Sequence, residues 1–189
     1  MKPGGDHVCA LHTSTRWRDE VLLSFLRDGL VEGHKCLVAL SDPDPSGLVG
    51  GLGSRAEVER WLASRQLEVR GAADMIGSPD ELSIENMIDF WRAVLSSALG
   101  AEGYAFARLA AEANWWMPQL SGIAQLLRYE MRLNGFSRRY PAAILCLYDV
   151  STLDGALVMD LVRTHPKVLL DGVPFNNPYY IPPEEFLDR

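Results

Sequence analysis

The segment Gly5 to Asp42, GDHVCALHTSTRWRDEVLLSFLRDGLVEGHKCLVALSD, restricts the fold more than any other stretch of the chain. Val8 to Leu11 and Cys36 to Leu40 are short continuous apolar runs, the pattern of strands covered on both faces of a parallel sheet. Between them Trp17, Val21, Leu22, Phe25, Leu26 and Leu30 recur at helical spacing, and Gly33 can take the positive φ that ends a helix. This βαβ order opens many nucleotide-binding ATPase domains. A phosphate-binding loop, however, needs GxxxxGK[ST], so that closely spaced backbone N–H groups and one lysine surround the phosphates. Leu11 to Val21 reads LHTSTRWRDEV, with no glycine and no lysine. The segment therefore predicts a ligand crevice without its phosphate cradle, and a sensor or signalling module ahead of an enzyme.

Further along, the turn-rich SDPDPSGLVGGLGS reads as a loop, Arg55 to Arg65 as a helix, and Leu67 to Arg70 as a strand. Ser83 to Leu99 places Ile84, Met87, Ile88, Trp91, Val94, Leu95 and Ala98 on one face, with Ser83 and Asn86 as caps, and is the clearest helix. Tyr104 to Leu109 follows as a strand, Leu120 to Leu133 as a helix, and Ala142 to Tyr148 as a strand ending in Asp149. Ala156 to Val162 and Lys167 to Leu170 add a helix and a strand. Such alternation builds an α/β fold, a mainly parallel central sheet with helices on both faces. Residues 1–189 are expected to form a single domain, with 171–189 as an extended C-terminal arm because FNNPYYIPPEEFLDR is too rich in proline for a helix or central strand.

A net charge of -7 argues against a direct nucleic-acid surface, since phosphate affinity rests on clustered Lys and Arg. Arg128, Arg132, Arg138 and Arg139 are interrupted by Glu130 and read as a solvated helix face. The three cysteines, Cys9, Cys36 and Cys146, lie in apolar runs, which suits buried thiols in a reducing compartment. MKPGGDH lacks the apolar core of a signal peptide, and no run reaches the roughly 18 apolar residues of a membrane span. A soluble cytoplasmic protein without a membrane partner is expected, and a homo-oligomer is compatible with the sequence.

In an open α/β sheet, ligands bind beyond the carboxyl ends of the strands. The loops after Leu11, Leu40, Leu109 and Tyr148 contribute His12, Arg16, Asp42, Glu112, Trp115, Trp116 and Asp149 as candidate ligand-binding residues, with Tyr148 heading the last of them. His7 and Cys9 share one face of their strand, and Cys146 could approach them. Zinc needs three or four ligands, and without CxxC or HxxxH spacing a packed thiol beside a hydrogen-bonded imidazole is the better reading. No metal or other cofactor is expected. Arg108 interrupts an apolar strand and demands a carboxylate, which Glu112, Glu130 or Asp149 could supply; the alternative is an anionic ligand held near the crevice. Tyr129, Glu130 and Asn134 read as a buried hydrogen-bond network, and His165 as the partner of a turn or a carboxylate. No catalytic triad can be argued from spacing, so no catalytic residue is assigned.

Several separated strings resemble one family when taken together: GDHVCALH, FLRDGLVEGHKCLV, RLAAEANWW, YEMRLN, CLYD, and THPKVLLDG with NNPYY. They are similar to the MEDS domain, the methanogen/methylotroph, DcmR sensory domain, over roughly Gly5 to Tyr180 as motif order is read. The resemblance implies a diverged relative of RecA- and KaiC-like ATPases, a three-layer sandwich lacking the P-loop. It also implies sensing of a small, largely apolar molecule such as a hydrocarbon derivative, and regulation of a partner protein in transcriptional or anti-sigma control. Members often carry glycine, glutamate and methionine before the tryptophan of RLAAEANWW, where this chain has Ala111, Glu112, Ala113 and Asn114. Family members occur fused to DNA-binding or kinase domains; this length leaves room for neither, so a stand-alone module acting through a partner is expected. Two alternatives stay open: a nucleotide-binding enzyme in which Arg16 and Arg108 replace the lysine, and a pure protein-interaction module.

Overall fold

The apolar runs become the interior strands of one sheet. The computed structural model describes residues 5–41, 45–71, 83–114, 117 and 122–186. Strands β1 (Asp6–His12), β2 (Lys35–Leu40), β3 (Leu67–Gly71), β4 (Ala107–Glu112), β5 (Ala142–Asp149), β6 (Lys167–Leu170) and β7 (Val173–Asn176) form a seven-stranded sheet in the order β3-β2-β4-β5-β1-β6-β7. All pairs are parallel except the β6–β7 hairpin. Helices α1 (Thr15–Val31), α2 (Ser46–Gly51) and α3 (Arg55–Ala63) cover one face, packing on Val8, Ala10, Val38, Leu40, Ala110, Leu145 and Leu147. Helices α4 (Ile84–Ser96), α5 (Ile123–Ser137) and α6 (Gly155–Thr164) cover the other, on Cys9, Leu37, Ala39, Leu109, Ala111, Ile144, Cys146 and Tyr148. A short α7 (Pro183–Phe186) ends the fold.

From β1 the chain steps outward through β2 to β3; from β4 it returns through β5 and past β1 to β6. The loops leaving the neighbouring strands β1 and β5 thus depart toward opposite faces, and a crevice opens at their carboxyl ends.

Local chemistry sets the element ends. Ser14 caps α1 by accepting the Trp17 N–H at 3.3 Å. At the other end Gly33, at φ 76°, donates to the Leu30 carbonyl and His34 donates to Gly29, a Schellman closure that turns the chain into β2. Gly29 permits a close approach beneath it: a Cβ there would lie 2.6 Å from Arg108 Cδ and 2.8 Å from Cys36 Sγ. Ser54 and Glu57 form a capping box at the start of α3.

Several boundaries differ from the sequence reading. The glycine-rich stretch holds a short helix, α2, because Leu48 buries against the α1 face. The fourth strand begins at Ala107, not Tyr104, since Gly103 turns at φ 75° and Tyr104 N–H donates to the Ala98 carbonyl. Helix α5 runs from Ile123 to Ser137, shifted toward the C-terminus, with Phe136 and Ser137 still buried. The expected extended arm contains the edge strand β7 and the helix α7. Asp171 and Gly172, at φ 48° and 77°, make the two-residue turn of the β6–β7 hairpin, and Pro174 is tolerated because β7 is an edge.

Lys35 is fully buried at the start of β2, with Nζ 2.6 Å from both Glu68 and Glu102 and donating to the Arg65 carbonyl. Burial alone would raise the Glu68 carboxyl, but hydrogen bonds from Lys35 and Arg70 outweigh it and bring Glu68 down to about 2. A depressed folded value means that this contribution is complete above the ordinary carboxylate range near ~4.3 and is lost as pH falls toward about 2. Urea unfolding between those limits should show a steeper loss of stability in the wild type than in Glu68→Gln; equal slopes would contradict the assignment.

Candidate functional site

Strand parity decides which candidate residues meet. In β4, Arg108, Ala110 and Glu112 alternate onto the α1 face, where α1 runs antiparallel to the strand. At the carboxyl end, Arg18 of α1 pairs with Glu112, Nη1 to Oε1 at 2.7 Å, with both side chains buried. Glu112 Oε2 accepts from the backbone N–H and hydroxyl of Ser41, each at 2.6 Å. Burial alone would lower the Arg18 guanidinium, yet its bonds to Glu112 and Asp19 hold it above its ordinary value. The carboxylate on this strand end is thereby committed to tying the loop after β2 to α1.

Beside it, His12 ends β1 opposite Asp149 of β5 and is 7% exposed. Burial lowers the His12 imidazole against the pull of Asp149 and Glu112, and Nδ1 has no hydrogen-bond partner among the described residues. Asp149 caps the turn Val150–Thr152 through Ser151, whose hydroxyl and N–H hold its carboxyl below the usual range. Asn114 then prolongs the β4–β5 ladder with a side chain: its Oδ1 accepts Asp149 N–H at 2.6 Å, and its Nδ2 donates to the Asp149 carbonyl at 2.9 Å and to Thr152 Oγ1 at 3.1 Å.

Beyond this clamp lies a cavity of about 360 Å³ lined by Asn114, Met117, Ile123, Leu126, Thr152, Leu153 and Leu157. It sits between the loops after β4 and β5 and the first turns of α5 and α6, so its walls are mainly apolar with two polar groups at one edge.

The remaining candidates fall elsewhere. Arg16 lies on the solvent side of α1 in an exposed pair with Glu20. Arg108 is not at the crevice. It lies at the amino end of the sheet, where its guanidinium meets Glu32 at 2.7 Å and the Phe25 carbonyl at 3.0 Å, beside a separate cavity of about 250 Å³. The expected partners Glu112, Glu130 and Asp149 are wrong for a geometric reason. Four steps along the strand set Glu112 about 13 Å from Arg108, and Glu130 belongs to the opposite layer. The same separation removes Arg16 and Arg108 as joint substitutes for a P-loop lysine. Asp42, Trp115 and Trp116 lie outside the described residues.

His7, Cys9, Glu130 and Tyr148 gather inside the α4–α6 layer, away from the crevice. His7 Nε2 lies 3.3 Å from Cys146 Sγ and 3.3 Å from Glu130 Oε2, and His165 Nε2 lies 3.3 Å from the same oxygen. Asn134 accepts from His7 Nδ1 at 2.9 Å, and Trp91 donates to the Tyr129 hydroxyl at 2.8 Å. Burial would raise the Glu130 carboxyl, and any proton carried on Nε2 of His165 or His7 pulls it back below its ordinary range. Burial lowers His7 and raises the Cys9 and Cys146 thiols and the Tyr148 hydroxyl.

Sequence reasoning missed Arg18 and Asn114. Arg18 could have been found, because it stands four residues before Leu22 and eight before Leu26 on the buried stripe of α1, where a charge requires a partner. Asn114 carries one signal, its place among the departures from the family motif, which by itself assigns it no role.

Among the described residues no helix is long and apolar enough to cross a membrane. In comparison with known proteins, the chain is 24% identical over 166 residues to the transcriptional repressor DcmR of Methylorubrum extorquens, a match covering 85% of this chain and 58% of the repressor. An uncharacterized protein from Pyrococcus horikoshii, crystallised with an unknown peptide, shares the fold with a TM-score of 0.61 at 12% identity, covering 92% of this chain and 82% of that one. The model of the MEDS family, the MEthanogen/methylotroph, DcmR Sensory domain, matches residues 6–166, and the chain belongs to that family.

Proposed function

We propose that this chain is a non-catalytic sensory domain that takes a small, largely apolar molecule into the 360 Å³ cavity and passes the change to a regulatory protein partner. The cavity carries the reading. Met117, Ile123, Leu126, Leu153 and Leu157 offer dispersion and desolvation, while Asn114 and Thr152, engaged with each other and with Asp149, bring the only polar side chains of the lining among the described residues. A ligand acts only by preferring one arrangement, and Asn114 supplies the element to be biased, since it holds the loops after β4 and β5 together. The match to a transcriptional repressor supports transcription as the output. Glu112 supports a non-catalytic role, because three donors from Arg18 and Ser41 already engage its carboxylate, the group that would otherwise be available to hold a nucleotide's metal ion.

Ile123 is 50% exposed at the cavity rim, so Ile123→Trp fills the space without disturbing the core. Amide chemical-shift titration with short-chain haloalkanes and alcohols should perturb residues around Asn114 and Leu157 in the wild type. In Ile123→Trp the affinity should fall at least about tenfold, with stability within about 0.5 kcal/mol. Undiminished binding to the filled variant would place the site elsewhere.

A further inference from the structure

We propose that His7, Glu130, Cys146 and His165 form a closed site for a thiophilic divalent cation, Zn(II) foremost, inside the layer built by α4, α5 and α6. The ligand atoms come from β1, α5, β5 and the turn between α6 and β6, all buried, and all lie within 4.8 Å of one another. Tetrahedral zinc, with nitrogen and oxygen ligands near 2.0 Å and sulfur near 2.3 Å, sets its ligands roughly 3.3–3.8 Å apart along the edges. Three contacts here measure 3.3 Å, and Cys146 Sγ to Glu130 Oε2 measures 3.8 Å. Two imidazoles, a thiolate and a carboxylate also suit zinc by donor type.

The outward hydrogen bonds orient both rings for this task. Asn134 Nδ2 donates to the Thr164 carbonyl at 2.6 Å, so its Oδ1 faces His7 Nδ1, which must carry the proton. His165 Nδ1 faces the Leu161 carbonyl at 2.7 Å, an acceptor only, and must also carry its proton. Each neutral ring then turns an Nε2 lone pair toward the centre, the arrangement in which an outer acceptor fixes a metal-binding imidazole. With no cation, two lone pairs and a carboxylate converge with the Cys146 S–H as the sole donor among the four. His165 Nε2 faces Glu130 Oε2 at 3.3 Å with no proton between them, so two buried acceptors point at one another. Buried polar atoms rarely remain so.

Binding is balanced in charge and atoms. The cation forms a bond to sulfur as Cys146 releases its proton to solvent, and two negative ligands then neutralise the divalent ion, so that no net charge is buried. Four protein ligands leave no open position, the mark of a structural site. Because every ligand is buried, the metal enters during folding. It would pin α5 and the α6–β6 turn to the sheet, and with them the helices whose first turns line the cavity.

The test is metal content and spectroscopy of the full chain, unfolded in chelator and refolded with Zn(II) or Co(II), then desalted. A single retained equivalent is expected. The Co(II) form should show tetrahedral d–d bands and a thiolate charge-transfer band. Cys146→Ala should abolish the charge-transfer band and weaken retention by more than the about 10- to 100-fold that loss of an outer hydrogen bond costs; Glu130→Gln should weaken it without removing that band. Wild-type chain refolded in excess metal yet retaining none would overturn the proposal and leave a hydrogen-bonded cluster with a protonated imidazole. A charge-transfer band that survives in Cys146→Ala would overturn it as well.

Discussion

Glu112→Ala is expected to destabilise the chain by about 3 kcal/mol or more, because it removes a buried carboxylate from the Arg18 guanidinium and the acceptor of two Ser41 donors. The Asp19 contact to Arg18, at 2.7 Å, keeps the loss toward the lower end of the range for broken buried pairs. Replacing both partners should be milder. Arg18 and Glu112 stand beside the apolar α1 face, so Arg18→Leu with Glu112→Leu should recover part of the loss, the remainder being the Ser41 donors left without their acceptor. Urea midpoints of the two single variants and the double variant measure the coupling. Additive losses would mean that the pair does not hold the crevice floor together.

A loss of about 3–5 kcal/mol is expected for Trp91→Ala. The indole is 1% exposed at the centre of the α4 face, packed among residues of α4, α5 and the sheet, and donates to the Tyr129 hydroxyl. Truncation removes that bond and opens a void that the surrounding strands, close-packed on both faces, cannot collapse to fill. In a chain of 189 residues the thermal midpoint should fall by roughly 10 °C. Trp91→Phe keeps most of the volume and should cost less than half as much. A small effect of Trp91→Ala would show that the α4–α5 contact is not a principal source of stability.

The parts of the architecture that the sequence makes legible are those governed by periodicity. The runs around Val8, Val38 and Ile144 are apolar on both parities because both faces are covered, and α4 shows its stripe from Ile84 to Leu95 without interruption. What periodicity hides is direction across the sheet. Arg108 and Glu112 sit in one strand and on one face, yet α1 separates their partners to opposite ends of the sheet, and nothing local to β4 records where α1 lies. The hairpin at Asp171–Gly172 carried a recognisable turn pair that the proline content of the tail obscured. The cluster around Glu130 was legible in parts, as the facing of His7 and Cys9 and the buried network of Glu130 and Asn134. The approach of Cys146 was also expected, but closure depends on His165, which stands in the turn leading into β6 on the other side of β1 from β5, and no spacing rule links residues brought together by strand order.

Calorimetric titration of the folded chain with Mg-ATP tests the central claim most directly, because the claim is that the strand-end crevice does not grip polyphosphate and offers an apolar cavity instead. No binding heat and no phosphate release are predicted up to millimolar nucleotide, since Leu11 to Val21 has neither the backbone cradle nor the lysine, and Glu112 is held by Arg18 and Ser41. Saturable micromolar binding with turnover would contradict the account and place this chain among enzymes.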